Sequence, residues 1–438
     1  MTSMKTSQTP GAPSDGGNPR FVRPATGGGE PLTVVLVVDS AGNEGNGTSN
    51  SALQFARELR ALGHVARIVG VGGEWPARAA SIPIVTPIAA RQQMSFGVPD
   101  DALFASAFRG ADIVHLYLPF PFERAALRVA RRMRIPVSCA FHLQPENVLY
   151  SAGPLRYVPG ADALLYRLFR RWMYRDVRHV HVPTRMTADL LRAHGYRNDL
   201  HVISNGYDPA FAPRLGEASA RPWQPGEGRP FRVLASGRLA SEKDHATLIR
   251  ALGLCRHRAD VELVIAGTGP LDRSLRREAA RCLARPADIG FHRHEDMPGL
   301  LRSADLLVHP SIADLEGVSV LEALACGLVP VIADSPLSAA KDFALDGRSL
   351  FPVGDERALA DRIDWWIDHP QERSRMGGEY ARYVARTHSL RSSVAAFVDM
   401  EREAIADDRA WYAGHPRPAR LEIVGPGTGK PAVPGISR

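Results

Sequence analysis

Lysine is almost missing from this 438-residue chain: of 54 basic side chains, only Lys5, Lys243, Lys341 and Lys430 are lysines. Such a bias reflects genome composition rather than function. It still makes a lysine inside a folded segment stand out, and Lys243 is one of two that do. Cysteine is scarce too. Cys139, Cys255, Cys282 and Cys326 lie far apart with no CxxC spacing, which argues against bridges and metal ligands and predicts buried, reduced thiols. No apolar run approaches the ~20 residues that a membrane-spanning helix needs. Residues 1–30 lack the apolar stretch of a signal peptide and are expected to form a disordered leader. Residues 411–438, rich in Pro and Gly, are expected to be a flexible tail. The expected location is cytoplasmic.

What is present is the balance of a globular protein, 45% hydrophobic and 23% charged, in a chain long enough for two domains. "LTVVLVVDSAG" is a continuous apolar strand. It is followed by a Gly-rich turn, a helix with Leu53, Phe55, Ala56, Leu59 and Leu62, a stop at Gly63, and a second strand. Unbroken apolar strands between helices are the mark of a parallel sheet covered on both faces. Strands "ADIVHLYLPF", "IPVSCAFHLQ" and "HVHVPT" continue the series. A Pro/Gly-rich stretch over residues 211–230 reads as a linker, and beyond it strand–helix alternation restarts with "FRVLASG". The expected fold class is α/β: two Rossmann-like, doubly wound domains, residues 31–210 and 231–390, facing a cleft at their strand ends. A last helix over residues 391–410 would pack on either domain.

The net charge of +7 favours an anionic partner. Nucleic acid would need a basic and aromatic platform or a recognised module, and neither is visible. Four motifs sit where strands end. "AGNEGNGTSN" is a plain turn or an anion cradle, and is neither GxGxxG nor a P-loop; "IAGTGP" is equally open. "SGRLASEKDHATLI" sets Arg238 and Lys243 in one short loop, a fork and a point charge that can grip phosphate oxygens or simply face solvent. "DLEGVSVLEALACG" puts Asp314 and Glu316 in a loop and Glu322 in the helix that stops at Gly327. Amides at that helix start would favour a phosphate while carboxylates accept hydrogen bonds from hydroxyls; a solvated, capped helix start is the alternative. "HRHED", His292 to Asp296, has the residue types of a metal site but reads as a polar loop.

"GRLASEK" followed some seventy residues later by "HPSIADLEGVSVLEALACGLVPVIA" resembles the retaining family 4 glycosyltransferases of the GT-B fold. The Asp314-to-Glu322 spacing matches their Glu-x7-Glu pattern, with Asp in place of the first Glu. The likeness extends over "AFHLQPENVLYSAG", "LHVISNGYDPAF" and "SAAKDFALDGRSLF", roughly residues 31 to 400, and is similar to a bacterial branch linked to glycolipid synthesis, including diacylglycerol glucosyltransferases. It implies an acceptor-side first domain and a second domain that binds a nucleotide-diphosphate sugar, with UDP favoured, and transfer of a hexose with retention and without a metal or other cofactor. Arg238 and Lys243 would hold the diphosphate and Glu322 the ribose. Asp314, or Glu316 beside it, would contact the donor sugar, with Gly317 and Val318 at the helix start. Gly47 and Thr48 would approach the diphosphate from the first domain. His142 would lie by donor sugar and acceptor, and Asn205 with Gly206 would form a turn near the hinge. Two other readings stay open: a soluble acceptor, or a non-catalytic nucleotide-sugar-binding scaffold.

The region 164–181 sets Arg167, Arg170, Arg171, Arg175 and Arg178 among Leu165, Leu168, Phe169, Trp172 and Met173. This predicts either a helix lying on an anionic membrane surface, as a lipid acceptor and a peripheral position on the inner face would require, or a core helix with a basic outer face.

Overall fold

The apolar runs fold as strands buried on both faces. The structure, a computed structural model, describes residues 29–42, 47–81, 94–151, 153, 157–213, 223–224 and 228–414. The first half contributes β1 (Thr33–Ser40), β2 (Val65–Val71), β3 (Trp75–Pro76), β4 (Ile113–Leu116), β5 (Val137–Ala140), β6 (His179–Val182) and β7 (Asp199–Val202). These pair in parallel in the order β3-β2-β1-β4-β5-β6-β7. In β1 every residue after Thr33 is buried, because helices cover both faces of a parallel sheet.

The second half contributes β8 (Phe231–Ser236), β9 (Val261–Ala266), β10 (Asp288–Gly290), β11 (Leu306–His309), β12 (Ala313–Asp314), β13 (Pro330–Asp334), β14 (Leu337–Ser338) and β15 (Leu350–Pro352). Six of them form a parallel sheet in the order β10-β9-β8-β11-β13-β15, and β12 pairs with β14. In both sheets the strand order reverses next to the first strand, which opens a crevice at the carboxyl ends there.

Two boundaries differ from the expectation. Part of the expected linker is core: Trp223 is 1% exposed, its ring lies 5.2 Å from that of Phe231, and its carbonyl accepts from Arg373 at 3.1 Å. An aromatic side chain able to bury this much surface outweighs the Pro/Gly composition around it. The last helix runs over Leu390–Gly414, so it takes up the start of the expected tail; residues 415–438 and 1–28 lie outside the described residues. It docks on the first domain, where Val394, Phe397 and Met400 join Val34, Leu36, Phe55 and Leu59 in one core. Gly206 makes this return possible. It holds φ of +67°, and a Cβ there would stand 2.7 Å from the Leu390 Cα, so only glycine fits.

The four cysteines are free thiols, three buried and Cys282 partly so. Among the described residues no helix is long and apolar enough to cross a membrane.

Candidate active site

The loop after β8 is built from glycines that let it lie flat on its neighbour. Gly237 has φ of +142°, and a Cβ on Gly267 would sit 1.9 Å from the Gly237 carbonyl oxygen. Leu239 donates its amide to Thr268 O at 2.9 Å and accepts from Leu271 N at 2.9 Å. The "IAGTGP" turn therefore braces the loop that carries Arg238 and Lys243. Arg238 donates to the buried carboxylate of Glu242. Lys243 ends a short turn, Ser241–Lys243, and its Nζ lies 2.5 Å from Asp314 Oδ2.

The acidic loop is tied to this one through the backbone of Glu242, whose carbonyl accepts from Ile312 N at 2.8 Å and Ser311 Oγ at 3.2 Å. Asp314, expected in a loop, sits in the two-residue strand β12. Its Oδ2 also lies 3.3 Å from His309 Nε2, and its Oδ1 accepts from Gly317 N at 3.1 Å. Burial resists its ionisation, but the Lys243 ammonium and His309 outweigh that and hold the carboxyl far below the usual range. Gly317, at φ of +88°, starts the helix Val318–Ala325 without a side-chain cap, so the amides of Val318 and Ser319 remain open at a positive dipole end.

Glu322, one turn into that helix, is buried, and its carboxylate has no hydrogen-bond or ion-pair partner among the described residues. Burial, with Asp208 adding like charge, pushes it up to about 8. Glu316 turns the other way. Its carboxylate accepts from Asn205 N at 3.1 Å and Asn205 Nδ2 at 2.7 Å, and from Ser204 Oγ at 2.5 Å. Burial raises it to about 7 in spite of these bonds.

The first domain meets this edge from the opposite side. Asn205 Oδ1 accepts from Ser51 Oγ of the helix Gly47–Ala61 at 2.6 Å, so Ser51, Asn205 and Glu316 form one chain across the cleft. Nothing in the sequence singled out Ser51, Ser204 or His309. Gly47 opens that helix with space beyond its Cα, and Thr48 follows; residues 43–46 of the Gly-rich turn lie outside the described residues. His142 follows β5, partly buried, with Nε2 shut off from solvent and without a hydrogen-bond partner. Its ring stacks 5.4 Å from Tyr117. Burial, then His115, drives it down to about 3, so the imidazole is neutral at pH 7. Two residues on, Gln144 Nε2 donates to Leu337 O of the second domain at 3.2 Å. The structure thus gathers Arg238, Lys243, Asp314, Gly317, Val318 and Glu322 at one edge. Gly206 serves the crossing of the last helix, and Asn205 with Glu316 joins the two domains.

The "HRHED" donors do not converge: His292 pairs with Asp288 at 3.8 Å and Arg293 with Glu295 at 2.7 Å. The basic region packs on the first-domain core through Tyr166, Met173 and the half-buried Phe169, with a mixed basic and apolar outer face. On the helix Ala161–Trp172 only Tyr166 is fully buried. Leu164, Leu168 and Trp172, spaced at i and i+4, are 53%, 49% and 46% exposed. Met173 is buried, which corrects its expected place in the surface stripe.

Two parallel-sheet domains and a shared strand-end cleft define the GT-B architecture. Residues 45–211 match the family model Glycosyltransferase Family 4, and residues 220–383 match Glycosyl transferases group 1. This chain belongs to that family of glycosyltransferases. It is 29% identical to a GDP-mannose-dependent alpha-mannosyltransferase of Corynebacterium glutamicum, over 77% of this chain and 81% of the relative. It is 27% identical to an alpha-monoglucosyldiacylglycerol synthase of Streptococcus pneumoniae, over 51% of each. Its fold is similar to that of a sucrose-phosphate synthase from Thermosynechococcus elongatus, with a TM-score of 0.67 at 16% identity, covering 86% of this chain and 100% of that one.

Proposed function

We propose that this enzyme transfers a hexosyl group, with retention and without a metal ion, from a nucleotide-diphosphate sugar to a lipid-linked acceptor at an anionic membrane surface. The observation that carries the reading is one strand edge holding two cations, an uncapped helix start and an unpartnered carboxylate. The diphosphate lies between Arg238 and Lys243 and against the Val318 and Ser319 amides. Glu322 accepts hydrogen bonds from the ribose hydroxyls, which also ends the isolation of its carboxylate. As the anomeric bond breaks, negative charge grows on the leaving diphosphate. Fixed positive groups there stabilise the transition state more than the ground state, and supply what a metal would otherwise supply. Lys243 exchanges Asp314 for the phosphate, and Asp314 is then free to accept from a sugar hydroxyl. His142, neutral, offers its unpartnered Nε2 beside the sugar. The acceptor is deprotonated by the leaving phosphate on the same face, which gives retention.

The lipid assignment is supported by the exposed stripe Leu164–Leu168–Trp172 lying beside Arg167, Arg171 and Arg175 at the same four-residue spacing, a pattern suited to an anionic bilayer. The name of the Streptococcus relative agrees with it. Free thiols throughout the described chain agree with a cytoplasmic face. UDP is the favoured nucleotide; GDP is its rival because the Corynebacterium relative is named for GDP-mannose.

Thermal shift against UDP- and GDP-sugars, with and without phosphatidylglycerol vesicles, tests the donor site. Stabilisation by one nucleotide series that is reduced in Glu322→Ala is expected. No shift with either series under both conditions would overturn the donor site. Flotation with the same vesicles tests the membrane role, and a chain that stays at the bottom of the gradient would exclude it.

A further inference from the structure

The face of the first sheet beneath the last helix is lined with polar groups that the transfer reaction does not use. In the parallel pair β6–β7, His179 stands opposite Asp199 and His181 opposite His201, so these four side chains share one face. Glu403 and Asp407, one turn apart on the helix Leu390–Gly414, lie over that face. One donor atom from each of His179, His201 and Glu403 lies within 4.8 Å of the others.

We propose that His179, His201 and Glu403 form a binding site for a divalent transition metal of the zinc class, which staples the last helix to the first domain. Two imidazoles and a carboxylate are a donor set that zinc favours over the hard cations calcium and magnesium. His179 Nδ1 and His201 Nε2 share a hydrogen bond at 3.1 Å, whose proton a bound metal ion would displace. Nitrogens about 2.0–2.1 Å from a tetrahedral ion lie roughly 3.3 Å apart, so the two rings already stand close to the spacing of a shared metal.

The other nitrogen of His179, Nε2, lies 3.1 Å from Asp407 Oδ2. A proton there makes Nδ1 the acceptor in the bond to His201, a lone pair that a metal would take over, and a carboxylate on the far nitrogen is the arrangement that orients metal-binding histidines. The local charge suits a dication, with one guanidinium, Arg178, against the carboxylates of Asp199, Asp407 and Glu403. A second group, His179, Asp199 and Asp407, also lies within 4.8 Å. Its two carboxylates already pair with Arg178 at 2.7 and 2.9 Å, which leaves the pair of imidazoles as the better site. His179 opens β6, whereas the cleft lies beyond the carboxyl ends of the strands, so the ion would sit at the opposite edge from the chemistry.

The test uses the full-length chain without a histidine tag, stripped with EDTA and dialysed against zinc. Elemental analysis after gel filtration is expected to give one zinc per chain with a rise in Tm, and cobalt in its place is expected to give a visible absorption band. His201→Gln is expected to abolish both. Because His201 is buried in the sheet, Glu403→Gln on the partly exposed helix gives an independent reading and is expected to weaken zinc by tenfold or more. Asp407→Asn, which touches only the orienting carboxylate, is expected to weaken it by about 10–100-fold. The proposal is overturned if no zinc is retained at micromolar concentration, or if Glu403→Gln retains it as the parent does.

Discussion

The molecule carries two cationic regions that use charge in different ways. In the cleft, Arg238 and Lys243 are few and partly buried, and each is held by a carboxylate, Glu242 or Asp314. On the helix Ala161–Trp172 and just beyond it, Arg167, Arg171 and Arg175 stand at a four-residue spacing beside exposed apolar groups. They line an open cavity of about 710 Å³ that also includes Arg170, Arg178 and Arg197. A fixed cation with a preset partner acts on one ligand atom, and its value depends on position in a low-dielectric site. A row of solvated cations acts on a surface, its value depends on number, and salt screens it. Lys243 in the cleft and the arginines of the helix are therefore not interchangeable sources of net charge.

The sharpest way to break this comparison is Lys243→Ala. With the fold retained by circular dichroism, turnover is expected to fall by about 10²–10³-fold, as for loss of one donor to a developing oxyanion. A single-turnover assay checks it, and a fall below tenfold would put Lys243 outside the reaction. The triple change of Arg167, Arg171 and Arg175 to Ala should weaken binding to phosphatidylglycerol vesicles by about fivefold per arginine. Donor hydrolysis in detergent should be unchanged, and raising salt should shrink the difference.

Glu322→Ala should cost about 10–100-fold in donor affinity, the range for hydrogen bonds to a charged group, read by calorimetry. The pH dependence of that affinity is a finer test. Glu322 is raised to about 8, so the acceptor carboxylate becomes available as pH rises through that value. Donor binding in the parent should tighten over that range, and in Glu322→Gln it should be flat there. The sign reverses for folding. A carboxyl raised from 4.5 to about 8 is tolerated fully below pH 4.5, and its contribution to stability is lost as pH rises towards 8. Glu322→Gln should remove that part of the slope in denaturant titrations.

Much of this was legible in the sequence because the informative residues are close together along the chain. Unbroken apolar strands gave the parallel sheets, and the Arg238–Lys243 and Asp314–Glu322 segments each lie at the end of one strand, where the fold gathers ligand groups. Contacts between distant segments were not legible. Asn205 and Glu316 are 111 residues apart and Ser51 and Asn205 are 154 apart, and serine in a helix carries no mark of a partner on another element. Trp223 was hidden by the composition of its surroundings. The spacing of the acidic loop placed Asp314 beside the site but did not reveal that Lys243 already holds it, since a pair 71 residues apart depends on how β8 and β11 lie next to each other. Which face of β6 and β7 the last helix covers was equally beyond a one-dimensional reading.

That last helix sets the order in which the protein can be finished during synthesis. The seat formed by Val34, Leu36, Phe55 and Leu59 leaves the ribosome early, while Val394, Phe397 and Met400 arrive only after the whole second sheet has been made. For most of translation this core, already covered in part by the helix Gly47–Ala61, lacks its last side, so the second domain can be complete while the first still waits for its final element. A chain stopped before Leu390 would therefore leave that side of the first-domain core open to water while the second domain kept its own core whole.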